Sequence, residues 1–170
     1  MSEYNGKEIE TSRFLDCCSD VFSILDYFGS TAFLPVKIDV YGNINKIRTK
    51  YTTDPKKYHY LQGIVQSEIN EKTTNVKNSA TDALMWLRRA IWFLKEFMHE
   101  FTLRFNPDIG DCVNGAYNNT LKQYHNWVVR SIFSLAVRSV PTKEDFLKTL
   151  AINHDDFLNN KKAFEKQVCF

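Results

Sequence analysis

The sequence has few of the residues that interrupt helices, with 6 glycines and 4 prolines among 170 residues. It shows neither a convincing alternation of period two nor an internal repeat, so a β-sheet or a repeat array is not indicated. This composition favours long helices that pack around an apolar interior.

Disulfide frameworks, zinc sites and membrane spans are also not indicated. The 4 cysteines include one adjacent pair and no CxxC spacing, which suits neither disulfides nor zinc. The N-terminus is polar and lacks the apolar stretch of a signal peptide, and no run approaches 18 apolar residues. We therefore expect a cytoplasmic protein with no metal site.

The charge balance and the missing motifs exclude two further classes. Lysine and arginine number 22 against 20 acidic residues, a net charge of +2 that does not suggest nucleic-acid binding. No GxSxG, P-loop, HExxH or paired-carboxylate pattern is present. The sequence therefore predicts neither an enzyme nor a cofactor.

Aromatic residues are abundant, at 14% of the chain with 13 phenylalanines. A chain of this length buries roughly 70% of its unfolded surface, so it can form one large core. We expect a polar tail at 1–11, followed by a single all-α domain at 12–170 with about seven helices in two layers. Helical spacing predicts helices at 12–28, 35–51, from Asp54-Pro55 to about 69, at 76–105, 108–139, after Pro141, and at 155–170. The helix at 76–105 is apolar on two faces, which predicts that it lies between the layers.

One predicted helix carries polar residues along an edge of its apolar stripe. Asp39, Asn43 and Lys46 place an acceptor, an amide and a cation on that edge, with the first and last roughly 10 Å apart. Such a set suits a polyhydroxylated ligand, although a solvated helix flank is the simpler explanation of the spacing alone. His125 and Trp86 have core positions as their simplest interpretation, and Trp127 is a candidate interfacial anchor.

Several segments together resemble the glycolipid transfer protein family. The run from Phe33 to Lys46 resembles the family's headgroup-binding helix. Residues 50–58, 80–89 and 124–127 resemble three further signatures in the family's order, and 141–150 resembles the segment that follows. The likeness covers about residues 12–152 of this chain. Within it, the segment around 78–89 is similar to the glycolipid-binding domain of phosphoinositide-binding adaptor proteins.

The resemblance implies a two-layer helical sandwich that carries glycosphingolipids without catalysis. Asp39, Asn43 and Lys46 would bind the first sugar, Trp86 would stack under it, and His125 would donate to the ceramide amide carbonyl. Asp39 would also accept from the amide N–H. Trp127 matches the family's membrane-contact tryptophan. The positions that match the family's chain-lining residues are Phe33, Val36, Leu121, Phe133, Ala136, Val137, Phe146 and Leu150.

The implied ligand is a glucosyl-, galactosyl- or lactosylceramide, taken from a transiently contacted membrane surface. Relatives that carry ceramide-1-phosphate have arginine where Trp86 stands, so Trp86 favours a sugar. Arg88 and Arg89 keep ceramide-1-phosphate as an alternative, because a guanidinium can bind a phosphate. From the resemblance we also expect that this sequence lacks the family's last helix. This leaves a third interpretation, a helical interaction module without transfer activity that binds a protein partner through its C-terminal face.

Overall fold

The computed structural model describes residues 8–28, 33–104 and 107–151, with the side chains of 27, 28 and 149–151 left out. Residues 1–7 of the expected tail at 1–11, the final amphipathic segment at 155–170 and the side chain of Leu150 lie outside this description. Within it the chain forms seven α-helices joined by turns, with 3₁₀ turns at Ser23–Phe28 and Lys122–Tyr124. The helices are α1 (Thr11–Phe22), α2 (Leu34–Thr53), α3 (Leu61–Asn70), α4 (Ala80–Leu103), α5 (Ile109–Asn119), α6 (Trp127–Val137) and α7 (Lys143–Ala151).

Side-chain caps mark where several helices begin. The side chains of Ser79, Asp108 and Asn126 each accept a hydrogen bond from the backbone N–H three residues later. Thr142 caps α7 in the same way, since its hydroxyl accepts from the backbone N–H of Asp145, and it also donates to the Asp145 carboxylate. Local sequence therefore fixes these four helix starts.

Helix α4 is the central element of the described fold, as its two apolar faces predicted. It packs against α2, α3 and α5. Leu87 on one face and Phe97 on the other are both fully buried. Because α4 carries Trp86, the position of this helix also determines where the candidate site lies.

The predicted continuous helix over 108–139 is wrong. Helix α5 ends at Asn119, and α6 begins only at Trp127 after a 3₁₀ turn. The Thr120 side chain bonds back to the Ala116 carbonyl at 2.6 Å, and Asn126 caps α6, so polar side chains compete with a continuous helix here. As a result, His125 lies in the connection rather than on a helix.

Helical spacing over 108–139 also predicts one apolar stripe, made of Val113, Tyr117, Leu121, Tyr124, Val128, Ile132 and Leu135. This stripe fails beyond the break. Its later members, Tyr124, Val128, Ile132 and Leu135, are exposed, whereas Phe133, Ala136 and Val137 form the buried face of α6. The interruption changes the phase of the helical repeat, so a pattern continued through it selects the wrong face.

The third helix begins later than predicted, at Leu61 instead of Pro55. The Asp54 side chain does accept from the backbone N–H of Lys57, but this bond closes only a turn. The segment that follows pairs with the start of α1: Thr11 N–H donates to the His59 carbonyl at 2.8 Å, and Leu61 N–H donates to the Ile9 carbonyl at 2.9 Å. These tertiary bonds hold the segment extended, which local propensity could not predict.

Candidate functional site

Three polar side chains of α2 form a continuous hydrogen-bonded row. Lys46 Nζ donates to Asn43 Oδ1 at 3.1 Å, and Asn43 Nδ2 donates to Asp39 Oδ2 at 3.5 Å. Asn43 is only 2% exposed, so its side chain is buried and does not lie on a solvated flank of the helix. Asp39 and Lys46 are too far apart to pair directly, and the buried amide links them.

The Asp39 carboxylate lies in partly desolvated surroundings although part of its surface remains exposed. Burial raises its pKa above the ordinary value, and the negative charge of Asp82 adds to this effect. Lys46, His125 and the bond from Asn43 oppose the shift. The carboxylate is therefore held near both a cation and the imidazole, with fewer hydrogen bonds than water would give it.

Trp86 enters the same region from α4. The start of this helix is fixed by the Ser79 cap and by the buried carboxylate of Glu68, which accepts from the backbone N–H groups of Ala80 and Thr81 at 2.9 and 2.8 Å. The Trp86 side chain, nearly two turns further on, is half-buried. The start of the helix that carries the indole is therefore fixed, and part of the indole surface remains accessible.

Arg89 lies against two aromatic rings beside the site. Its guanidinium carbon is 4.6 Å from the centroid of the Trp86 ring and 4.0 Å from that of Tyr124, both within the range of cation–π attraction. Among the described residues no ion pair or hydrogen bond of its guanidinium is found. The aromatic contacts therefore leave its N–H donors available to a ligand.

His125 completes the cluster from the connection between α5 and α6. Its ring stacks on Trp86 with centroids 5.8 Å apart and an interplanar angle of 23°. Its Nδ1 lies 3.1 Å from the hydroxyl of Tyr117. The backbone at His125 is extended, so the break in the predicted helix is what turns the imidazole towards α4.

The structure thus brings together all five headgroup residues predicted from the sequence. The arrangement offers a carboxylate, an amide, a cation and an imidazole around an aromatic surface, which suits hydroxyl and amide groups. No cluster of three or more metal-ligating side chains occurs in the part of the chain that the structure describes.

Most of the predicted chain-lining residues are buried in the adjoining core. The Phe146 ring packs edge-on against Phe97 and Phe101, and Phe133 packs against Phe93 and Tyr117. Val36 and Leu121 are partly buried against this core. The remaining described members of the set, Phe33, Ala136 and Val137, are buried.

An exposed apolar surface lies at the start of α6 and along its outer side. Trp127 is 78% exposed, the most of any large hydrophobic side chain in the described ranges. Val128, Val129, Ile132 and Leu135 of the same helix are also exposed. None of the helices in the described ranges is long and apolar enough to cross a bilayer.

Sequence reasoning missed two contributors to the site. Glu68 gave no local signal, because its role depends on α3 meeting the start of α4. Tyr117 was assigned to an apolar stripe, and only the fold reveals that its hydroxyl reaches His125. The Ser79-x-x-Asp82 spacing before an apolar run was a usable signal for the start of α4.

Residues 9–152 match the glycolipid transfer protein family. The chain belongs to that family. A fungal glycolipid transfer protein from Aureobasidium melanogenum is 36% identical over 146 residues, which cover 86% of this chain and 70% of the fungal protein. The chain therefore has the family's two-layer helical sandwich, the fold class predicted from its sequence.

Longer relatives are also similar. Pleckstrin homology domain-containing family A member 8 is 45% identical over 150 residues in Danio rerio and 44% over 156 in Homo sapiens. The matches cover 88% and 92% of this chain but only 27% and 30% of those relatives. A solved FAPP2 structure, described as selecting simple glycosphingolipids through the GLTP fold, has 43% identity and a TM-score of 0.79, covering 88% of this chain and 70% of that one.

A more distant structure shares the fold alone. Human ceramide-1-phosphate transfer protein, solved with 12:0 ceramide-1-phosphate, superposes with a TM-score of 0.75 at 21% identity over 86% of this chain and 74% of that one. Within one fold, therefore, relatives accommodate either sugar or phosphate headgroups. The residues of the site must decide between them.

Proposed function

We propose that this protein binds glycosphingolipids and transfers them between membranes, without catalysing a reaction. The observation that carries the proposal is the meeting of the Asp39–Asn43–Lys46 row with Trp86 and His125 at the edge of the aromatic core. A lipid with a sugar headgroup needs a polar surface for its sugar directly beside an apolar core for its chains.

The headgroup is selected by the row on α2 and by Trp86. Asp39 accepts from sugar hydroxyls, Lys46 donates to them, and Asn43 does both, while Trp86 stacks under the apolar face of the ring. A ligand without matching hydroxyls would cover these groups without pairing them, at a cost of about 1–3 kcal/mol for a group left buried and unpaired, such as the Asn43 amide. Selectivity therefore comes from the polar end of the lipid.

The ceramide amide is held by two groups of opposite hydrogen-bonding character. Asp39 accepts from the amide N–H, and His125 donates to the amide carbonyl. Their electrostatic coupling supports this pairing, since each alters the pKa of the other's side chain. Together they place the amide between α2 and the α5–α6 connection.

The hydrocarbon chains enter the apolar core between the predicted lining residues. The two chains contain about 30 methylenes in total, and moving them from a membrane into water costs about 24 kcal/mol. Unassisted exchange between membranes is therefore slow. The edge-on contacts of Phe133 and Phe146 must separate to admit a chain. A chain then replaces these ring contacts with its own, so the core remains filled.

Trp127 and its exposed neighbours on α6 form the contact with the membrane surface. A half-polar indole is favoured at the headgroup level of a bilayer. Because His125 lies two residues before Trp127, a membrane bound through this tryptophan lies close to the headgroup site. The lipid therefore has a short path from bilayer to protein.

The deciding experiment measures transfer of fluorescent galactosylceramide between vesicles. Wild type should transfer it, whereas Trp86→Ala and Asp39→Val should lose transfer while keeping their helical circular dichroism. Trp92→Ala, on the same helix, and Asp20→Val, on α1, are matched controls that should keep it. Normal transfer by either site variant would refute the assignment. Failure of wild type with every lipid would favour the protein-interaction module.

Ceramide-1-phosphate is the second candidate ligand, and Arg89 is the observation that favours it. Its guanidinium is held 4.6 Å from Trp86 without an ion pair among the described residues, so it is available to a phosphate. Transfer of ceramide-1-phosphate should be measured in parallel for wild type and Arg89→Gln, with Arg88→Gln as the control. Transfer that depends on Arg89 would establish this alternative.

A further inference from the structure

The phenol of Tyr117 joins the apolar core to the imidazole of the site. Tyr117 is only 5% exposed, and its ring stacks on Phe133 with centroids 3.6 Å apart. At the other end its hydroxyl lies 3.1 Å from Nδ1 of His125. The ring position is thus fixed by packing, and the hydroxyl meets one particular imidazole nitrogen.

The direction of this hydrogen bond follows from its surroundings. Within the described ranges the Tyr117 hydroxyl has no second hydrogen-bond partner. If it accepted from an Nδ1–H group, its own proton would be buried without an acceptor, which is costly. The hydroxyl therefore donates, Nδ1 is the acceptor, and the imidazole proton resides on Nε2.

Burial is the main reason that the imidazole of His125 stays neutral. Burial lowers the pKa of His125, and the positive charges of Arg130 and Arg89 lower it further, while Asp39 opposes them. Burial likewise raises the pKa of the Tyr117 phenol, which therefore keeps the proton that it donates. Near pH 7 the pair is a neutral donor and a neutral acceptor.

We propose that Tyr117 is a positioning residue that holds His125 as its Nε2–H tautomer, with that proton directed to the ceramide amide carbonyl. No hydrogen bond of Nε2 is present among the described residues, so the nitrogen is available to a ligand. The inference rests on the proposed function, in which His125 is the donor. The hydroxyl of Tyr117 then has a role in binding although it does not touch the lipid.

Nuclear magnetic resonance of the histidine ring nitrogens tests the tautomer without any lipid. Wild type should show His125 as Nε2–H. Tyr117→Phe preserves the ring that packs on Phe133, and it should raise the pKa of His125 and introduce the Nδ1–H tautomer. Tyr51→Phe, on α2, removes a hydroxyl elsewhere and should change neither. An Nδ1–H tautomer in wild type, or an unchanged spectrum and pKa in Tyr117→Phe, would overturn the proposal.

Galactosylceramide binding tests the functional consequence in a double-mutant cycle. Tyr117→Phe should weaken binding by about two- to tenfold, the size of one net hydrogen bond. In a His125→Ala background the same change should have no effect, because it acts through the imidazole. Fully additive losses would contradict the positioning role. If wild type binds no glycolipid, the proposed function itself fails, whereas the wrong tautomer in a protein that binds would refute this inference alone.

Discussion

Replacement of Glu68 tests how the central helix is anchored. Its carboxylate is 4% exposed and accepts from the first two backbone N–H groups of α4 at 2.9 and 2.8 Å. These groups have no partner within the helix, and the helix dipole favours a negative charge beside them. Glu68→Gln keeps the size of the side chain but offers one acceptor where two donors converge.

The expected loss follows from the bonds removed. A hydrogen bond to a charged group contributes about 1.5–3 kcal/mol, and the charge–dipole interaction adds up to about 2 kcal/mol in partly buried geometry. Glu68→Gln should therefore lower the free energy of unfolding by about 2–4 kcal/mol. Glu68→Ala leaves both N–H groups unpaired and should cost about 3–5 kcal/mol. Either loss is a large fraction of a typical domain's stability.

Urea denaturation followed by circular dichroism measures both losses. Glu71→Gln is the matched control, since Glu71 is exposed one turn further along, bonding Ser67 and pairing with Lys50 at 3.4 Å. An exposed pair of this kind contributes little to stability because solvent screens it. Surface substitutions usually change the free energy of unfolding by no more than about 0.5 kcal/mol. If the free energy of unfolding of Glu68→Gln lies within that range of the wild-type value, the carboxylate does not anchor α4.

Three further outcomes are expected. Trp127→Ala should slow vesicle transfer by about fivefold or more while changing the free energy of unfolding by no more than about 0.5 kcal/mol, because the indole is exposed; an equal loss in stability would contradict a membrane role. The pKa of His125 is lowered in the folded protein, so the unfolded state binds more protons below about pH 6.5 and stability should fall as pH falls through that range. His125→Gln should flatten this dependence, and an unchanged slope would show that another group is responsible. The pKa of Asp39 is raised, so the ionised carboxylate opposes folding at neutral pH; Asp39→Asn should melt at the same or a higher temperature than wild type yet lose transfer, and a lower melting temperature would refute this sign.

The sequence predicted those parts of the fold that depend on local patterns. Apolar periodicity identified the helices, and caps such as Ser79 and Thr142 lie next to the residues that they serve. It failed at the break between α5 and α6, where local polar side chains interrupt an apolar pattern, and it failed where tertiary bonds decide the structure. The delayed start of α3 depends on Leu61 bonding the Ile9 carbonyl, a partner 52 positions earlier in the chain that spacing does not reveal.

The sequence predicted the site residues of α2 from helical geometry, but it predicted Trp86 and His125 only from family resemblance. Helical geometry placed Asp39, Asn43 and Lys46 on one edge of α2, but it could not show that Asn43 is buried and connects the other two. Trp86 and His125 had core positions as their simplest interpretation, and only family resemblance suggested otherwise. Their stacking joins α4 to the α5–α6 connection, a long-range contact that no periodicity encodes.

The two titratable groups of the site are displaced from their ordinary pKa values in the directions that disfavour charge. Burial raises the pKa of Asp39 and lowers that of His125, so the fold gains nothing from either group in its charged form. Stability alone gives no reason to place a partly desolvated carboxylate beside a partly desolvated imidazole. The proposed lipid ligand gives both groups a role. A ligand that supplies a donor to Asp39 and an acceptor to His125 satisfies both, and a secondary amide carries that pair on adjacent atoms.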